Sequence, residues 1–151
     1  MTYTSTDPRR QICAALDQTQ RQVDAVHPSQ LALPTPCAEF DLKMLLAHLV
    51  AVLRKLTLVG DGRDMTLVTD PANDVVEECA DVFRSARSEF DQVWAADGKL
   101  GEDFALVWGT MTRNELLDAY THEFTVHAWD LAQVTGRRVE LDPVLAHAAL
   151  D

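Results

Sequence analysis

The sequence lacks long apolar runs and has few cysteines, and each scarcity excludes a class of protein. No stretch approaches the roughly 18 uninterrupted apolar residues of a membrane-spanning helix, and the N-terminal MTYTSTDPRR contains no apolar core of signal-peptide length. Cys13, Cys37 and Cys79 are odd in number and have no CxxC spacing, so they are expected to be reduced thiols rather than disulfides. These absences predict a cytoplasmic protein that neither spans a membrane nor is secreted.

Basic residues are also scarce. The chain has 13 Lys and Arg against 24 Asp and Glu, which gives a net charge of −11 and a pI near 4.7. Such a charge repels phosphate backbones and anionic lipid surfaces, so neither nucleic acid nor a membrane is an expected partner. The glycines form no phosphate-cradling loop, and there is no nucleophile elbow or zinc-knuckle pattern. The reaction classes that depend on those motifs have no support here.

What is present is a series of amphipathic patterns, in a chain whose 151 residues and 47% apolar content predict one domain over residues 1–151. The first helix is predicted to open at Asp7–Pro8. The second is capped by Asp41 and ends at Gly60, and the third opens at Asp70–Pro71, with Val75 or Val76 as its first inward residue. Four long helices of this kind predict an all-α bundle.

The fourth pattern, from Thr112 to Gly136, is the most informative. Thr112 and Glu115 have capping-box spacing, and Gly136 stands where a helix commonly ends in a left-handed residue. One face carries a stripe at helical spacing, formed by Leu116, Tyr120, Glu123, Phe124, His127, Leu131 and Val134. A carboxylate and an imidazole, Glu123 and His127, therefore interrupt an inward-facing apolar seam. At i, i+4 they can bind one cation from the same side.

A third polar group, His48, lies on the inward face of the second helix, between Leu45 and Val52. A histidine in that position is often a core residue hydrogen-bonded to a backbone carbonyl. A buried charge must find either a partner or a metal. If the three side chains have only a structural role, His48, Glu123 and His127 each need a separate hydrogen-bond partner. These three residues are the candidate metal ligands.

Other polar and aromatic side chains near these positions receive more modest roles. His122 points about 140° away from His127 around the helix and is predicted to be exposed, while Trp129 faces away from the stripe and should pack. Asp130 could orient an imidazole, although a hydrogen bond on the helix surface explains it equally well. The segment FALVWG, at 104 to 109, is too short to predict a sheet, and its Trp108 either lines a site or packs this connector onto the bundle.

The C-terminal residues predict one further short element. Residues 137–141 should be extended, and Asp142 followed by Pro143 opens a fifth helix. Only about eight residues follow Pro143, which is marginal for a helix in isolation, so it should either dock on the bundle or continue in a longer natural chain.

Two segments, LPTPCAEFDLKMLLAHLVAVL at 33 to 53 and YTHEFTVHAWDLAQVTGR at 120 to 137, together with ALDQTQ at 15 to 20, resemble the mycothiol-dependent maleylpyruvate isomerase family. The resemblance is to its N-terminal domain, one of the DinB-like metal-binding bundles, and it spans nearly the whole chain. It implies a DinB-like four-helix bundle, to which the Asp142–Pro143 signal adds a short C-terminal helix. The isomerase that names the family has a second, C-terminal domain, for which 151 residues leave no room, so isomerisation of maleylpyruvate itself is not expected.

The resemblance also implies a chemistry. His48, Glu123 and His127 match the family's three ligands for a divalent metal, usually zinc, although the same donors accept Ni²⁺, Fe²⁺ or Mn²⁺. The family uses mycothiol, the low-molecular-weight thiol of actinobacteria, as cosubstrate, which the metal binds and activates. A small-molecule thiol and an electrophilic substrate are thus the implied partners, and the oligomeric state is left open.

Three functional hypotheses follow. The leading one is a mycothiol-dependent transferase or isomerase in which the metal activates the thiol. In the second, the same metal activates water in a hydrolase, because both reactions need only an open coordination position. The third is a non-catalytic binding or regulatory module, whose signature would be an exposed apolar patch and a site without a substrate-sized cavity.

Overall fold

The protein folds as a helix bundle. Its structure is a computed structural model that describes residues 3–74, 78–97, 100–106 and 108–150. Its helices are α1 (Pro8–Asp24), α2 (Leu42–Gly60), α3 (Cys79–Trp94), α4 (Arg113–Thr135) and the short α5 (Pro143–Ala148). α1 packs along α4 and α3, and α2 packs along α3 and α4, so the four long helices close a ring around one core. The predicted four-helix bundle with a short fifth helix is confirmed.

The helix ends are set by local hydrogen bonds that the sequence signals. Asp41 Oδ1 accepts the Met44 amide at 2.8 Å and so caps α2. At the start of α4, Thr112 Oγ1 accepts the Glu115 amide at 3.2 Å, while Glu115 Oε2 accepts the Thr112 amide at 2.8 Å. Gly136 ends α4 with φ of 76°, a backbone conformation that glycine adopts without strain. The bounds predicted for these helices therefore agree with the structure.

The core lies between the four long helices and is built mainly from leucines of α2 and aromatic residues of α3. Its fully buried large side chains include Ile12, Leu16, Leu42, Leu45, Leu49, Leu53, Leu56, Phe83, Phe90, Trp94 and Phe124. The Trp94 indole nitrogen donates to the Leu56 carbonyl at 3.0 Å, which satisfies its polar atom inside the core. Gly60 lets α2 approach this indole, because a Cβ there would lie 2.7 Å from Trp94 Nε1.

The third helix begins at Cys79, later than predicted. The Asp70–Pro71 pair forms a turn instead of a helix start, because the Asp70 carboxylate binds α2: Oδ1 lies 2.9 Å from His48 Nδ1, and Oδ2 accepts from Lys55 Nζ at 2.8 Å. A side chain with these partners is not available to cap a following helix. Positions 75 and 76, predicted on this helix, lie outside the described residues.

A two-stranded antiparallel hairpin precedes α4, where the sequence indicated only a loop. Strands β1 (Asp103–Leu106) and β2 (Gly109–Thr112) pair with Asp103 opposite Thr112, and β2 leads directly into α4. Four-residue strands carry too little periodicity to be predicted from sequence. The predicted extended segment before α5 is instead a 3-10 turn, Arg138–Glu140. Within the described ranges, none of the helices is long and apolar enough to cross a lipid bilayer.

Candidate metal centre

The structure brings the three candidate ligands together between α2 and α4. His48 Nε2 lies 3.0 Å from Glu123 Oε1, and His127 Nε2 lies 3.3 Å from the same oxygen. Across the cluster, one potential ligand atom from each residue lies within 4.8 Å of the others. The side chains are 15%, 35% and 12% exposed for His48, Glu123 and His127, so the two imidazoles are largely removed from water while the carboxylate can be reached by a small molecule.

Each imidazole is held from behind by a second carboxylate. His48 Nδ1 lies 2.9 Å from Asp70 Oδ1, and His127 Nδ1 lies 2.9 Å from Asp130 Oδ2. A carboxylate at Nδ1 favours a proton on that nitrogen, so Nε2, which faces Glu123, is the nitrogen that can bind a metal once its own proton is lost. Both histidines therefore have one nitrogen anchored and the other aimed at a common point.

Aromatic packing fixes the planes of the two rings. Phe40, in the connector before α2, stacks on His48 with ring centroids 5.0 Å apart and an interplanar angle of 26°. The His48 and His127 rings meet edge to face, at 82°, with centroids 5.3 Å apart. Phe40 thus covers one face of the His48 ring and limits the directions from which water reaches it.

The electrostatics of the cluster favour an ionised glutamate. Hydrogen bonds from His127 and then His48 hold the pKa of Glu123 far below its usual range, against the opposing effect of burial. Burial alone would lower the pKa values of His48 and His127. For His48, hydrogen bonds to Glu123 and Asp70 outweigh the effect of burial and raise the pKa. For His127, hydrogen bonds to Glu123 and Asp130 likewise raise the pKa. In the absence of metal, protons therefore serve as the counter-charges of these carboxylates.

The other residues singled out from the sequence lie as follows. His122 is exposed, as predicted, and lies apart from the cluster. Trp129, which was predicted to pack, is instead 48% exposed at the surface. Asp130 occupies the orienting position behind His127. Trp108 is 67% exposed and lines a cavity beside the ligands instead of packing into the bundle.

Asp70 is the site residue that sequence reasoning missed. It follows His48 by 22 residues in a loop, and its Asp-Pro pair is a typical helix-start signal. An indirect signal was available on α2, because Lys55 follows His48 by seven residues and so lies on the same inward face. A lysine there needs a carboxylate, and Asp70 supplies one.

A cavity of about 270 Å³ opens beside the cluster, with His48 and Glu123 in its wall. Its lining also includes Val52, Lys55, Asp70, Trp108, Met111, Leu116, Ala119 and Tyr120. Burial, followed by the charges of Glu123 and Asp70, raises the pKa of the Tyr120 phenol, so Tyr120 faces the cavity as a neutral hydroxyl. The cluster is therefore accessible from a mixed polar and aromatic chamber.

The fold and the cluster define an all-helical bundle with a histidine–glutamate site between two of its helices. The chain belongs to the family described as the mycothiol maleylpyruvate isomerase N-terminal domain, whose family model matches residues 12–132. That match includes all three candidate ligands and both orienting carboxylates.

Relatives in sequence and structure agree with this assignment. Uncharacterized proteins from two strains of Mycobacterium tuberculosis are each 30% identical over 122 residues, which is 80% of this chain and 63% of theirs. The chain thus spans less than two thirds of the length of these relatives. A crystal structure of the mycothiol-dependent maleylpyruvate isomerase superposes with a TM-score of 0.73 at 13% identity, covering 98% of this chain and 70% of the isomerase. A mutant of that isomerase gives a TM-score of 0.69, also at 13% identity, over 87% of this chain and 63% of the mutant chain. At this identity the superpositions establish the shared fold.

Proposed function

We propose that His48, Glu123 and His127 bind one divalent cation, with zinc as the best match, and that the protein uses it in mycothiol-dependent transfer or isomerisation. The convergence of both Nε2 atoms on one Glu123 oxygen, at 3.0 and 3.3 Å, carries the proposal. Two ligand atoms held about 2.0–2.1 Å from zinc at a tetrahedral angle are themselves about 3.3 Å apart. The distances from the Glu123 oxygen to the two imidazole nitrogens are therefore close to those between zinc ligands.

The surroundings of the cluster also support a metal. Two imidazoles and one carboxylate are a common donor set for catalytic zinc, which keeps a further position open. Asp70 and Asp130 hold the Nδ1 atoms, an arrangement that orients histidine ligands and raises their basicity. Glu123 is available as an anion because its pKa is lowered. The same donors accept nickel, iron or manganese, so metal analysis must identify the ion.

A bound ion of this kind lowers the pKa of a thiol or water at its open position. The chain's own residues prepare that position. His48, Glu123 and His127 together carry one negative charge, which leaves a divalent site with net positive charge for a thiolate. Phe40 shields the His48 ring, and the cavity of about 270 Å³ leaves room for the incoming group. The neutral Tyr120 hydroxyl in the cavity wall can donate a hydrogen bond to a reactant there.

A thiol-dependent enzyme agrees better with these features than a passive module does. A non-catalytic bundle needs no cavity at its polar cluster, whereas this cluster opens into a cavity of about 270 Å³, close to the lower end of the range for small-ligand sites. The family match supports mycothiol as the thiol, and an electrophilic small molecule would be its reaction partner. We extend the proposal to residues 1–151 acting as one metal-binding domain.

The test begins with protein purified without chelator. We expect about one zinc ion per chain by elemental analysis. The cobalt-substituted protein should then develop a thiolate-to-cobalt charge-transfer band when mycothiol is added. His127→Ala should lose both the metal and the band, whereas His122→Ala, on the same helix but outside the cluster, should keep both. A cobalt spectrum that responds to pH but not to mycothiol would favour the water-activating hydrolase, and metal retained by His127→Ala would contradict the ligand assignment.

A further inference from the structure

A second and larger cleft, of about 710 Å³, lies beside the metal centre. It is enclosed by the C-terminal end of α2, the 3-10 turn Met65–Leu67 and the hairpin of β1 and β2. The residues that line this hairpin cleft include Lys55, Arg63, Met65, Phe104, Trp108 and Tyr120. Its volume lies in the range of cavities that bind small organic ligands.

The hairpin cleft adjoins the chamber at the metal centre. Lys55, Trp108 and Tyr120 line both spaces, so these three side chains form the boundary between them. Tyr120 precedes Glu123 by one turn of α4, which places the boundary close to the candidate ligands. A molecule lying in the cleft can therefore present one end to the metal centre.

The walls of the hairpin cleft are apolar and aromatic along much of their length. Met65 is 9% exposed and belongs to the core, and Phe104 packs against that core. Trp108, by contrast, leaves 67% of its surface exposed at the boundary. A large aromatic side chain exposed beside a cavity offers a stacking surface for an apolar or planar ligand.

The charges in the hairpin cleft differ from those of the whole protein. Three cations and two carboxylates line it, although the protein carries a net charge of −11. Lys55 pairs with Asp70, and Arg113 with Glu102. Asp64 accepts hydrogen bonds from the amide and hydroxyl of Thr66, at 2.8 and 2.7 Å.

Arg63 differs from the other cations of the cleft. Its backbone amide donates to the Leu58 carbonyl at 2.8 Å, but among the described residues its guanidinium pairs with no carboxylate. A guanidinium offers several donors in a fixed planar fork that matches a carboxylate. Arg63 is thus a cation available to a ligand in an otherwise acidic protein.

We propose that the hairpin cleft binds the electrophilic reaction partner as an organic anion with an apolar body, and that Arg63 determines this specificity by binding the anionic group. The apolar body lies against Met65, Phe104 and Trp108, with the reactive end at the boundary near Tyr120. This inference rests on the proposed function, since it assigns the thiol to the chamber at the metal and the second reactant to the adjoining cleft.

The test compares two probes of nearly the same shape, the anion 2-naphthoate and its neutral analogue 2-naphthamide, by calorimetric titration of the zinc-loaded protein. Wild type should bind the naphthoate about three- to tenfold more tightly, as expected for a charged hydrogen bond to an exposed arginine. In Arg63→Gln the ratio should fall to about one. Arg10→Gln removes an exposed arginine on α1 outside the cleft and should keep the wild-type ratio. Equal ratios in all three proteins would overturn the proposal.

Two further measurements separate this inference from the proposed function. A carboxylate can also bind zinc directly, so the titrations are repeated on metal-free protein: the preference for naphthoate should persist, and its loss would overturn the role of Arg63. Saturating mycothiol should leave naphthoate binding unchanged, whereas competition would place the thiol in the hairpin cleft and overturn the assignment. A further outcome is that wild type binds neither zinc nor mycothiol and still prefers naphthoate to naphthamide in an Arg63-dependent way. That result would contradict the proposed function and the assignment of the anion as the electrophilic reactant, but it would leave the anion site itself intact.

Discussion

Asp130 Oδ2 lies 2.9 Å from His127 Nδ1, one turn further along α4, and the Asp130 side chain is only 7% exposed. A carboxylate this buried is stabilised by its partner, so the pair orients the imidazole within a single helix. His48 receives the equivalent contact from Asp70, which belongs to a distant loop. One imidazole of the candidate metal centre is therefore oriented locally and the other by the tertiary fold.

Asp130→Asn should weaken zinc binding about 10- to 100-fold, because an amide accepts more weakly than a carboxylate and can present its NH2 group to Nδ1. Competition with a chromophoric zinc chelator measures the change. Asp118→Asn is a matched control, since Asp118 lies on the side of α4 that carries His122 and lines a different cavity. Equal losses in the two variants would show that the effect arises from the helix and not from the orientation of His127.

Zinc should raise the melting temperature of the wild-type protein, because it binds only the folded cluster. At free zinc about 1,000 times its dissociation constant, the gain is roughly 4 kcal/mol, a shift of several degrees for a domain of this size. His127→Ala should abolish the shift, and His122→Ala should retain it. Thermal melts of the three proteins with and without zinc provide the measurement. A full shift in His127→Ala would place the metal elsewhere.

The increase in melting temperature caused by zinc should become larger as the pH rises. Without metal, the pKa values of His48 and His127 are raised in the folded protein, so protonation of these histidines stabilises the fold. This stabilisation is fully present below about pH 6.5, the pKa of histidine in the unfolded chain, and is lost as the pH rises through the pKa values of the folded protein. Zinc must displace those protons, so its affinity should begin to fall at a pH above 6.5 as the solution is acidified. Melts from pH 5.5 to 8.5 should show the zinc-dependent shift increasing with pH. A constant shift would contradict proton competition at these histidines.

Gly60→Ala should destabilise the fold, because overpacking of a core costs about 1–3 kcal/mol. The better helix propensity of alanine offsets part of this cost. The new Cβ would lie 2.6 Å from Val93 Cγ1 and 2.7 Å from Trp94 Nε1, inside the core. Gly101→Ala is the control, because a Cβ at Gly101 meets nothing within 4 Å. Chemical denaturation should separate the two variants. Equal stability would mean that α2 and α3 can move apart at no measurable cost.

The sequence determined the helical framework and the direction in which the candidate ligands point. The cap at Asp41, the capping box at Thr112 and the stop at Gly136 are local hydrogen-bond patterns, and they hold in the structure as predicted. Helical periodicity likewise placed His48, Glu123 and His127 on inward faces, because burial of a stripe depends on spacing within one segment. Those residues do converge, and their role as metal ligands is a prediction for experiment.

Only the tertiary structure decided what surrounds the ligands. Asp70 carries a local helix-start signal, but the contacts of its side chain depend on how the loop after α2 folds back onto that helix, a long-range property that no local pattern reports. The hairpin at 103–112 is too short for its periodicity to be read, yet it supplies Trp108 and one wall of the larger cleft. The sequence by itself therefore determined which helices carry the polar groups. Packing between segments decided which carboxylates orient the histidines and where a reactant can lie.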